Sequence, residues 1–114
     1  MKNIIVEKSK AFALRIIKLY KHLDANHRIG VISTQILKSG TSIGANVKEA
    51  IRAQSKPDFY SKLNIALKEA SETEYWLELL YESEYITKEQ FESIYGDCQE
   101  LLKILTAITK TRNN

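Results

Sequence analysis

FESIYGDCQELLKILTAI, residues 91–108, is the stretch whose reading decides the fold. Its apolar side chains fall at Phe91, Ile94, Cys98, Leu101, Leu105 and Ile108, steps that alternate three and four. A strand would alternate every second residue, whereas this period sets one stripe along a helix and suits shallow-angle packing against other helices. Working back toward the start, the same period recurs three more times. A helix over about 56–84 aligns Phe59, Leu63, Ala66, Ala70, Leu77 and Tyr81. A helix over about 31–54 aligns Ile32, Ile36, Ile43, Val47 and Ala50, and one over about 3–25 aligns Ile5, Phe12, Ile16, Leu19 and Leu23.

The residues between the stripes agree. Ser55 caps the third helix with Pro57 just inside it and Asp58 in its first turn; Thr87 and Gln90 spell a capping box for the fourth. Asn26 to Gly30 separates the first helix from the second. Connections this short force neighbouring helices to run antiparallel, so the expected fold is all-α, an antiparallel up-down-up-down four-helix bundle. The 114 residues suit one domain spanning 1–114.

Composition narrows the function classes. An apolar fraction of 44% with 27% charged residues is globular, and no apolar run approaches a membrane span of roughly 18 residues. The opening MKNIIVEKSKAFALRI carries Glu7, Lys8 and Lys10, and so does not read as a signal peptide. A lone cysteine, Cys98, has no internal disulfide partner, which makes a reducing cytoplasm the expected location. Net charge is only +3, but residues 1–54 hold ten Lys/Arg against three Asp/Glu, while 55–114 hold seven against eleven. Such asymmetry points to an anionic partner, or to complementary faces between subunits.

Two basic rows carry the first reading. Lys8, Arg15, Lys18 and His22 share a flank of the first helix away from its stripe, with Lys10, Lys21 and Arg28 beside them. Lys38, Lys48 and Arg52 point away from the stripe of the second helix. Counterion release needs only such placement, so Lys8, Arg15, Lys18, Lys38, Lys48 and Arg52 are the candidate phosphate contacts to RNA or DNA. The plain alternative is a solvated helix face, and no base-reading module accompanies the rows. The third helix supports the second reading. Ile65, Trp76, Leu79 and Leu80, bordered by Glu69 and Glu72, form a second apolar face about 100° from its stripe. That face reads as a subunit interface anchored on Trp76, with a widened core as the alternative.

KSGTSIGAN (38–46) is poor in helix formers. A phosphate-binding loop would place its Lys after the glycines, whereas Lys38 precedes them, so Gly40 and Gly44 are expected to serve close helix packing. In its setting, QILKSGTSIGANVKEA (35–50) followed by SKPDFYSKLNIALKEASETEYWLELL (55–80), the segment resembles the bacterial family of the 23S ribosomal RNA intervening-sequence protein. It is also similar to the accessory protein of diversity-generating retroelements. The resemblance covers nearly the whole chain and implies a four-helix bundle, commonly a homopentameric ring, without known enzymatic activity. Through the retroelement relatives it also implies nucleic acid, nucleoprotein or a reverse transcriptase as partner. Relatives frequently carry Arg where this chain has Lys38, which keeps the charge without the bidentate fork.

Enzyme readings fare worse. Di-iron bundles need inward Glu-x-x-His pairs, and only Asp24-x-x-His27 comes near, at a helix end. A magnesium-dependent all-α nucleotide hydrolase would use Glu69-x-x-Glu72 and Glu89-x-x-Glu92. Antiparallel pairing places these more than about 15 Å apart at 1.5 Å per residue. Cys98 lies within the fourth stripe as a small apolar side chain, and His22 and His27 have no evident acid or nucleophile partner. The expectation is a non-catalytic, homo-oligomeric accessory or scaffold with no metal and no cofactor. A protein-interaction module that binds no nucleic acid is the runner-up.

Overall fold

The structure, a computed structural model, describes residues 3–27 and 30–111. Four helices follow one another: α1 (Ile4–Asn26), α2 (Gly30–Ile51), α3 (Lys56–Glu82) and α4 (Lys88–Lys110). They form a rod of 44 × 24 × 20 Å. Each packs on its sequence neighbours, and α4 closes back onto α1, though less extensively. Pairings across the seams fix the directions. Ser39 meets Thr73 while Glu49 meets Lys62, so α2 and α3 are antiparallel. Tyr81 stacks on Phe91 while Tyr60 reaches Thr111, and α3 and α4 are antiparallel too.

The stripes read from the sequence are the core. Phe12, Ile16, Leu23, Ile36, Ile43, Val47, Leu63, Leu77, Leu101 and Leu105 are all fully buried. Three adjustments follow from the neighbours each helix meets. On α3 the buried series runs Leu63, Ala66, Ala70, Thr73, Leu77, Leu80, so Leu80 replaces Tyr81 as its last inward residue. Tyr60 is buried where Phe59 was expected, and Phe59 packs at the margin. Helix α2 ends at Ile51 rather than near 54. The bond from Ala53 N–H to the Ala50 carbonyl closes a tight turn, so that Ser55 is free to cap α3.

Gly40 and Gly44 do serve close packing. A Cβ on Gly40 would lie 2.7 Å from Ile16 Cγ1, and one on Gly44 would lie 3.3 Å from the Ser9 carbonyl oxygen. Small side chains thus let α1 approach α2. Both predicted caps are present: Ser55 accepts from Asp58 N–H, and Thr87 and Gln90 bond reciprocally. The expected break at 26–30 includes residues 28 and 29, and Arg28 of the second basic row lies outside the described residues.

Candidate functional site

The six candidate phosphate contacts do not form one surface. Lys8 and Arg15 turn to α4: Lys8 Nζ lies 2.9 Å from Glu100 Oε1, and Arg15 pairs with Asp97 while its Nη2 donates to Ser93 Oγ at 3.0 Å. Two of the six are thus engaged within the protomer. A wheel drawn on α1 alone cannot show that the acidic flank of α4 stands beside it. Such surface pairs contribute under about 1 kcal/mol each, so they pin side chains more than they stabilise the bundle. Lys18 is exposed at a hollow between α1 and α4 that Arg15, His22, Gln90 and Ile94 also line. Lys38 is exposed beside Glu69 of α3.

Lys48 and Arg52 are exposed at a different place, a hollow of about 490 Å³ between α1 and α2. Val6, Ala13, Gly44 and Ile51 line its apolar part, Lys10 adds a third cation, and no carboxylate lines it. The small residues that allow α1 and α2 to approach also leave this trough open above them.

The second face of α3 is real but narrower than expected. Ile65 is 39% exposed, Trp76 and Leu79 are half-buried, Glu69 is half-buried and Glu72 is exposed. Leu80 is a correction: it is 0% exposed and belongs to the core, because the 3-4 stripe of α3 continues inward through Leu77 to Leu80. The Trp76 indole N–H is enclosed with no acceptor among the described residues, so what the residue presents outward is not its polar atom. Tyr75 adds an exposed ring, 5.5 Å from the Trp76 centroid. Burial and then the neighbouring Glu72 push the Glu69 carboxyl above its usual range, with Lys38 opposing. Two acids thus stand close together here, with Lys38 of α2 the cation acting on Glu69.

Sequence reasoning overlooked an apolar pair on α1, Leu14 (60% exposed) and Ile17 (37% exposed), between the exposed Lys10 and Lys21. The signal was available: Lys10, Leu14, Ile17 and Lys21 step by four, three and four, as a packing stripe does, but opposite the core.

Among the described residues no three His, Cys, Asp or Glu side chains lie close enough together to hold a metal ion. Cys98 is fully buried and its Sγ–H donates to the Ala70 carbonyl; burial, with Glu74 and Glu78 nearby, pushes the thiol up to about 12. It is therefore a neutral core residue, not a nucleophile. Tyr95 donates to the Glu78 carboxylate, a bond that raises its phenol above the usual value and ties α4 to α3. His22 and His27 are exposed, 6.1 Å apart, with His27 edge-on to Tyr85. No described helix is long and apolar enough to cross a membrane.

Residues 1–107 match the family described as 23S rRNA-intervening sequence protein. The chain is also similar to a protein of unknown function from the S23 ribosomal protein family of Bacteroides thetaiotaomicron VPI-5482, seen in a crystal structure at 1.70 Å resolution. The two share 59% identity over 93% of this chain and 98% of that one, with a TM-score of 0.92. No curated protein matches.

Proposed function

The chain belongs to the 23S rRNA-intervening sequence protein family, and from that premise we propose that it is a non-catalytic, homo-oligomeric scaffold that holds nucleic acid or nucleoprotein. One domain, 1–114, makes the protomer; five copies make the ring, as the resemblance implies. The outward α3 face at Ile65, Glu69, Glu72, Trp76 and Leu79 seals it. The cytoplasm is its place, consistent with a single buried thiol.

The observation that carries the nucleic-acid reading is the hollow between α1 and α2, where Lys48 and Arg52 stand exposed with Lys10; on their other side the same two residues line a second hollow with Glu49, Asp58 and Lys62. Phosphates would meet these two, together with the exposed Lys18 and Lys38. Lys8 and Arg15 join only by leaving Glu100 and Asp97. Repetition around a ring multiplies a modest local charge into an extended basic surface.

Titration of labelled RNA at several salt concentrations tests this. Binding should weaken as salt rises, and Lys48→Glu with Arg52→Glu should flatten the log–log slope by about 0.7–0.9 per lost phosphate contact. Lys103→Glu on α4 should leave the slope unchanged. No binding at low salt, or an equal effect from Lys103→Glu, overturns the reading. The acid-rich half from residue 55 onward favours the runner-up, a module for a basic protein. Pull-downs that survive nuclease treatment would favour it.

A further inference from the structure

Two outward rows of this bundle have the same spacing and opposite charge. On α1 the row is Lys10, Leu14, Ile17, Lys21; on α3 it is Ile65, Glu69, Glu72, Trp76, Leu79. Each advances by alternating steps of three and four, so each runs along its helix as a packing stripe; the α1 row faces solvent, and the α3 row is only partly covered within its own protomer. On the first, Leu14 and Ile17 are more exposed than a packing stripe allows, between two exposed lysines. On the second, Trp76 and Leu79 present half-buried apolar surface beside Glu72 and the half-buried Glu69.

Within one chain the rows cannot meet. α1 packs between α2 and α4, so α1 and α3 stand diagonally across the bundle and their outer faces look apart. Pairing like with like is disfavoured. α3 on α3 would bring Glu69 and Glu72 against a second pair of acids, and α1 on α1 would oppose lysine to lysine. The unlike pairing sets Leu14 and Ile17 on Trp76 and Leu79, and brings Lys10 or Lys21 to Glu72. Glu72, exposed and beside Glu69, thereby gains a cation, while Glu69 keeps Lys38 of its own protomer beside it.

We propose that the Lys10–Leu14–Ile17–Lys21 row of one copy packs on the Glu69–Glu72–Trp76–Leu79 row of the next, joining copies head to tail. This rests on the homo-oligomer reading above and names the surface that receives the α3 face. A head-to-tail contact uses two different patches per copy, so it builds a ring where the rotation between copies closes, and not a two-fold dimer. Neither row includes Lys48 or Arg52, and Lys10 is the one residue the contact shares with their hollow.

Light scattering after size exclusion tests the proposal. Leu14→Asp changes a residue already 60% exposed, so the bundle should keep its helical circular dichroism while its mass falls toward the 13.1 kDa monomer. Lys10→Glu with Lys21→Glu should do the same, and adding Glu69→Lys with Glu72→Lys to that chain should restore the larger mass. Mixing Leu14→Asp with Trp76→Ala should give a one-to-one dimer and nothing larger, since each variant keeps one intact row. If Leu14→Asp and the double lysine reversal both keep the parent mass while Trp76→Ala dissociates, the α3 face pairs elsewhere. The proposal then fails while the oligomer reading stands. A parent chain that is monomeric at high concentration overturns both.

Discussion

Gly40 sits where a methyl group would press on a side chain that cannot turn away. Ile16 is fully buried and β-branched, and the added Cβ would lie 2.7 and 2.8 Å from its Cγ1 and Cγ2. Overpacking of this kind costs about 1–3 kcal/mol and should outweigh the roughly 1 kcal/mol that alanine gains over glycine in a helix. Gly96 lies mid-helix in α4, exposed, with nothing within 4 Å of its added Cβ. Gly96→Ala should therefore raise the urea midpoint and Gly40→Ala should lower it; equal midpoints would refute the packing role of Gly40. Cys98 gives a second test. Its thiol is held at about 12 against an ordinary 9.0, so between those values the unfolded chain has released a proton that the native chain keeps. Stability from this group is thus full below pH 9 and declines as pH rises, by roughly 1 kcal/mol per unit. The gap between the parent and Cys98→Ala should narrow from pH 8 to pH 11, and native Cys98 should resist thiol reagents until urea unfolds the chain. Both residues were legible in the sequence, from spacing alone. Ser9, Ser33, Ser39 and Thr73 were not. They are polar yet buried, Ser39 and Thr73 because their hydroxyls meet 2.8 Å apart across the α2–α3 seam, and a pattern that counts only apolar residues passes over them.

Helix ends were legible wherever a side chain forms the cap, and less so where the backbone does. The Thr87–Gln90 box and the Ser55 cap depend on particular residue types at fixed offsets, which a sequence displays directly. The end of α3 works differently. Glu84 takes φ 68°, its N–H bonds the Tyr81 carbonyl, and Tyr85 N–H bonds the Leu80 carbonyl. This is a Schellman closure with glutamate where glycine is usual, so nothing in the residue types announces it. The left-handed conformation costs a non-glycine residue about 1–2 kcal/mol. Glu84→Gly should recover part of that, raising the melting temperature by a few degrees with unchanged helix content; a lower melting temperature would mean that the Glu84 side chain contributes more than its backbone strain removes. The α1–α4 contact escaped the sequence for a related reason. Arg15 reads as a free cation on its own helix, and only the bundle brings Asp97 and Ser93 to it.

For the molecule as a whole, the charge asymmetry between the two halves becomes an asymmetry between faces. α1 and α2 carry lysines outward around Leu14 and the α1–α2 hollow, and α3 carries Glu69 and Glu72 around Trp76. Intramolecular pairing at Lys8 and Arg15 removes some of the basic surface and leaves the outer α1 row and the Lys48–Arg52 site. Trp76 is the only tryptophan, so its emission reports the state of the α3 face without interference. In an isolated protomer its ring is partly wet; covered by the Leu14 and Ile17 of a neighbouring copy it loses that water. Dilution through the dissociation range should shift the emission to longer wavelength, with a midpoint that follows the fall in mass. Leu14→Asp should show the long-wavelength spectrum at every concentration, even though residue 14 lies on another helix of the same chain and faces away from Trp76. Salt separates the forces at work. Raising sodium chloride screens Lys10 and Lys21 from the α3 acids, and should move the midpoint to higher protein concentration without changing either limiting spectrum. An emission maximum that ignores dilution, in a chain whose mass does change, would mean that copies meet through a face other than the one bearing Trp76.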